Sequence, residues 1–70
     1  MTLKEKVLKM KTAAEADKAE AWEMYKDANK RGNELDAQAF YNDYKLAIGE
    51  IRAYREVLYI IEHEEAYKGA

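Results

Sequence analysis

The sequence predicts an all-α fold, an antiparallel two-helix hairpin of coiled-coil type, on three observations. The chain contains no Pro, so nothing forces a break inside a helix. Its one cluster of helix-ending residues, Lys30-Arg31-Gly32-Asn33, lies near the middle. On both sides of that cluster apolar residues recur in alternating steps of three and four.

The first helix is expected over about residues 3–31, the turn over 32–35 and the second helix over about 35–67, within one domain spanning 1–70. Each helix is roughly 40 to 50 Å long at about 1.5 Å per residue. Lys30 and Arg31 suit the negative end of a helix dipole, and Gly32 can adopt the left-handed conformation that ends a helix. Asn33 can cap the next helix, with Asp36 at its third position.

The expected seam of the first helix is Leu3, Val7, Met10, Ala14, Ala21, Met24 and Ala28, interrupted at Asp17. That of the second is Ala37, Phe40, Tyr44, Ala47, Ile51, Tyr54, Leu58 and Ile61. Folding back at the turn sets Val7 opposite Ile61, Met10 opposite Leu58, Ala14 opposite Tyr54 and Met24 opposite Tyr44, so small residues face large ones. Charge favours the same pairing: Lys4, Lys6, Lys9 and Lys11 on one strand of the hairpin meet Glu56, Glu62, Glu64 and Glu65 on the other.

Composition narrows the function classes. At 70 residues, 49% apolar and a formal charge of -2, the chain reads as one small globular domain. No stretch reads as a signal peptide or a transmembrane run, so the expected location is the cytoplasm, with no membrane partner. The absence of Cys excludes disulfides and thiolate metal sites. With one His and no Cys, no catalytic set and no cofactor site are expected, and the chain reads as a non-enzymatic binding protein. His63 has Tyr59 and Tyr67 four residues away on either side, whereas a helical metal site needs ligands at steps of three or four. No metal is therefore expected there.

A hairpin needs one apolar stripe per helix, and this chain has a surplus. Leu8, Trp22, Tyr25, Tyr41, Leu46, Ile48, Val57, Tyr59, Ile60 and Tyr67 all fall outside the expected seams. A second copy would cover part of them, giving a homodimeric four-helix bundle. Leu46, Gly49, Ala53, Val57 and Ile60 are the candidate self-association residues, Gly49 because a missing side chain lets another helix approach closely. Trp22, Tyr25, Tyr41 and Tyr59, with Arg52 and Arg55, are the candidate partner-binding residues, since Tyr, Trp and Arg concentrate at binding hot spots. The function expected from these features is a small inhibitor or adaptor, of the kind phages and mobile elements encode, that occludes a surface of a larger protein or nucleoprotein. The alternative is nucleic-acid binding through Lys4, Lys6, Lys9 and Lys11.

The turn segment Asn33-Glu34-Leu35-Asp36-Ala37, the opening Met1-Thr2 and Glu5-Lys6, and the two-helix layout resemble the Rop family of plasmid copy-number proteins. The resemblance implies a dimer of hairpins forming a four-helix bundle that binds paired RNA loops. The first helix here contains no Phe, so that family's RNA-contacting phenylalanine has no counterpart, and no RNA-contacting residue is carried over.

Overall fold

Thr2 opens the first helix. Its hydroxyl oxygen accepts a hydrogen bond from the Glu5 backbone N–H at 3.1 Å, satisfying one of the donors that a helix start leaves free. Helix α1 runs over Leu3–Lys30 and helix α2 over Glu34–Lys68, packed side by side as a hairpin. This computed structural model describes residues 1–68, with side chains through residue 64, so the side chains of Glu65 and Tyr67 lie outside the described residues.

The turn is tighter than expected. It occupies residues 31–33 instead of 32–35: Arg31 is already the cap of α1, and α2 begins at Glu34 with Leu35 inside it. Gly32 sits at φ +74°, the left-handed region that costs other L-residues roughly 1–2 kcal/mol. Its N–H donates to Asn29 O at 3.1 Å, and the Asn33 N–H donates to Ala28 O at 2.9 Å. These two bonds satisfy the last carbonyls of α1 in the Schellman pattern. Asn33 then caps α2 with its side chain, as expected. Its Oδ1 accepts from the Asp36 N–H at 3.2 Å, while its Nδ2 donates to the Asp36 carboxylate at 2.8 Å. One residue closes one helix and starts the next, which is why no further loop is needed.

All eight expected seam residues of α2 are buried or half-buried. On α1 only one of the two expected rows is. Val7, Ala14, Ala21 and Ala28, seven residues apart, are buried, but Leu3 and Met10 are 64% and 50% exposed and Met24 is exposed too. The second inner row of α1 is Lys4, Lys11, Lys18 and Tyr25, all half-buried. Helix α1 is thus rotated away from the methionines. That rotation keeps Ala14, Ala21 and Ala28 buried and brings Trp22 and Tyr25 against Tyr44 and Tyr41 of α2. Lys stems can cover such a seam with four methylenes while the ammonium stays in water. Asp17 shares the exposed row of Leu3 and Met24, so it does not interrupt the seam at all.

The aromatic contacts follow this rotation. Tyr44, expected opposite Met24, instead meets Trp22. Of the expected cross-hairpin charge pairs, Lys4 reaches Glu62 at 3.6 Å; the other described ion pairs, Lys26 with Glu23 and Arg31 with Asp27, lie within α1 and its cap. In the apolar run 57–61, Leu58 is buried and Ile61 half-buried, whereas Val57, Tyr59 and Ile60 stay exposed. The result is a slat of 57 × 18 × 12 Å whose core consists mostly of alanine.

Candidate functional site

A two-helix slat has two broad faces, each with a groove between the helices, and here the two differ in chemistry. The first groove is lined by Trp22, Tyr44 and Ile51 with Lys18, Glu15 and Arg55, and continues past Ile48 to Arg52. The second is lined by Ala21, Met24, Phe40, Leu46 and Ala47 together with Asp17, Glu20, Asp43 and Glu50. Cations gather at one and only carboxylates at the other.

The aromatic groove is built from both helices. Trp22 lies 5.3 Å from Tyr25 along α1 and 5.0 Å from Tyr44 across the seam, between ring centroids. Tyr41 closes the set, at 5.4 Å from Tyr25 and 6.2 Å from Tyr44. Tilted pairs at such distances add roughly 0.5–1.5 kcal/mol each beyond area burial, so the four rings hold one another in place. Lys45 lies over the Tyr41 ring at 5.1 Å and Lys18 over Tyr44 at 5.8 Å, within the range of cation–π attraction. Trp22 and Tyr41 each keep 39% of their surface exposed. The cluster is therefore pre-organised yet open to solvent.

Comparison of the chain with protein-family models, curated proteins and solved structures finds no match.

The structure brings together three of the four aromatic residues singled out in the sequence, Trp22, Tyr25 and Tyr41, and adds Tyr44 to them. Tyr59 is elsewhere, 67% exposed and stacked on His63 with ring centroids 5.7 Å apart. Arg55 links the two places: it lines the aromatic groove and, with Arg52, a shallow surface beside Tyr59 and Ile60. Leu46, Gly49, Ala53, Val57 and Ile60 form one exposed stripe along the outer side of α2, and a Cβ added at Gly49 would meet no atom within 4 Å.

The four lysines near the N-terminus do not form one patch. Lys4 and Lys11 share the inner row of Lys18, but Lys6 belongs to the row of Glu20 and Asp27, and Lys9 to the row of Glu23. Among the described residues no three His, Asp or Glu side chains converge as metal ligands, and no helix is long and apolar enough to cross a membrane. The carboxylates of the second groove are thus strung along it and do not form a knot. The segregation of charge across the slat is the feature that counting charges along the chain misses. The signal was present as Asp36, Asp43 and Glu50 at seven-residue steps on α2 and Lys4, Lys11 and Lys18 at the same steps on α1.

Proposed function

We propose that this chain is a non-enzymatic protein-interaction module, a helical hairpin that docks on a larger protein through its aromatic groove and acts as an inhibitor or adaptor by occluding what it covers. The observation that carries this reading is the cluster of Trp22, Tyr25, Tyr41 and Tyr44, rigid through its ring contacts and partly exposed. Rigid Trp and Tyr side chains flanked by Lys18 and Arg55 match the composition of binding hot spots and need little further ordering on binding. Trp22→Ala combined with Tyr41→Ala tests the reading. Used beside the parent chain as paired baits, the variant should lose a partner that the parent retains, with helicity by circular dichroism unchanged. Equal retention by both refutes it.

A second reading, nucleic-acid binding, is favoured by the same groove, where Lys18, Arg52 and Arg55 lie beside Trp22 and Tyr44. Cations next to aromatic rings are what phosphate contact and base stacking use. Its mark is steep salt dependence, and no binding to structured RNA at about 50 mM salt removes it.

A further inference from the structure

The second groove has no place in that reading. Its floor is the buried Ala21 and Ala47 with half-buried Phe40, and its apolar walls are Met24 and Leu46, 42% and 66% exposed. Its rim holds Asp17 and Glu20 from α1 and Asp43 and Glu50 from α2. Among the described residues none of these four carboxylates has a cation within ion-pair distance. On α2 the rim carboxylates Asp43 and Glu50 lie seven residues apart, and Asp36, one step earlier, lines the continuation of the groove past Met24 and Phe40, where Arg31 is paired with Asp27. Apolar side chains from two helices bordered by charge make a groove of the kind in which an amphipathic helix lays its apolar face.

We propose that the acidic groove is the docking site of a cationic amphipathic helix belonging to the partner protein, laid between α1 and α2 as the third helix of a bundle. The groove with its continuation, from Glu50 to Asp36, spans about 21 Å at about 1.5 Å per residue, so the occupant is a helix of roughly 14 residues or more. It carries an apolar stripe against Met24, Phe40 and Leu46, with Lys or Arg at seven-residue steps beside the carboxylates. Charge complementarity selects this occupant. Symmetric pairing of the groove with its own copy would set carboxylates against carboxylates, and like charges at close quarters oppose that contact. Pairing it with the aromatic groove of a second copy would join different surfaces and build a ring or an open chain, either of which light scattering would reveal as a higher mass. This inference rests on the reading of the chain as a protein-binding module, but not on which residues of the aromatic groove contribute.

The test uses the full chain and a labelled synthetic helix of 21 residues, with Leu and Ala at three-four spacing and Lys at seven-residue steps. Two control peptides accompany it, a scrambled one of the same composition and one with Glu replacing Lys. Fluorescence anisotropy should show binding of the Lys peptide and at least about tenfold weaker binding of both controls. The variant Asp17→Asn, Glu20→Gln, Asp43→Asn, Glu50→Gln should weaken the Lys peptide at least about tenfold while keeping its helicity, and Leu46→Ala should weaken it separately. Trp22→Ala with Tyr41→Ala should bind the peptide as the parent does, so failure of this inference and failure of the aromatic reading are told apart. No binding, equal binding of the scrambled peptide, or indifference to the four-site variant overturns the proposal. So does a stable dimer by light scattering that Leu46→Glu dissociates, because the groove would then belong to a second copy.

Discussion

Gly49 sits in the interior of α2, and replacing it with Ala isolates a backbone effect from any contact. In a helix interior Gly costs about 0.8–1.0 kcal/mol relative to Ala, mainly through the conformational freedom it loses on folding. Whether that gain is realised depends on room for the methyl group. Here a Cβ at Gly49 meets nothing within 4 Å, so no repulsion offsets the gain. Gly49→Ala should therefore stabilise the hairpin by about 0.8–1.0 kcal/mol, equivalent to a rise in melting temperature of roughly 4–8 °C for a domain of this size. The assay is thermal unfolding followed by circular dichroism at 222 nm, at several protein concentrations. An unchanged or lower melting temperature in dilute samples would refute the reasoning. A loss that grows with concentration would mean that the glycine serves a close helix-to-helix contact between copies.

Other substitutions test the turn and the seam. Gly32→Ala, which places a side chain at φ +74°, should cost roughly 1–2 kcal/mol in chemical denaturation without altering helical content. Ala21→Leu should destabilise by about 1–3 kcal/mol, because a larger side chain at a buried position of the seam forces its neighbours apart; Met24→Leu, on the exposed row, should change stability by less than about 0.5 kcal/mol in the same assay. Lys4→Gln, which removes one member of an exposed ion pair with Glu62, should lower the denaturation midpoint by no more than the equivalent of about 1 kcal/mol, and by less as salt is added.

The hairpin itself was legible because its signals are local and agree. The cluster at residues 30–33 names a helix end and a helix start together, and the seam of α2 has one uninterrupted apolar row to choose. The rotation of α1 was not legible. Leu3, Met10 and Met24 form the more hydrophobic row, and a periodicity argument must prefer them to Lys4, Lys11 and Lys18. The structure chooses otherwise because the four-ring cluster lies on the lysine side and lysine stems can serve as cover. Trp22, Tyr25 and Tyr41 could be picked out by residue type, but their union with Tyr44 depends on that rotation and so could not be. The acidic groove was hidden for a related reason. Asp17 read as a flaw in the seam, when it belongs to a different face of the helix.

The opposite chemistry of the two broad faces also sets what a charged macromolecule meets on approaching the slat. The slat is 12 Å through its thin dimension, and salt at physiological strength screens charge over about 8 Å. An approaching macromolecule therefore senses chiefly the face turned toward it: attraction if the signs differ, repulsion if they match. For any partner bound as proposed above, discrimination would begin in the rate of productive collision, and raising the ionic strength should slow association at either face more than it speeds dissociation.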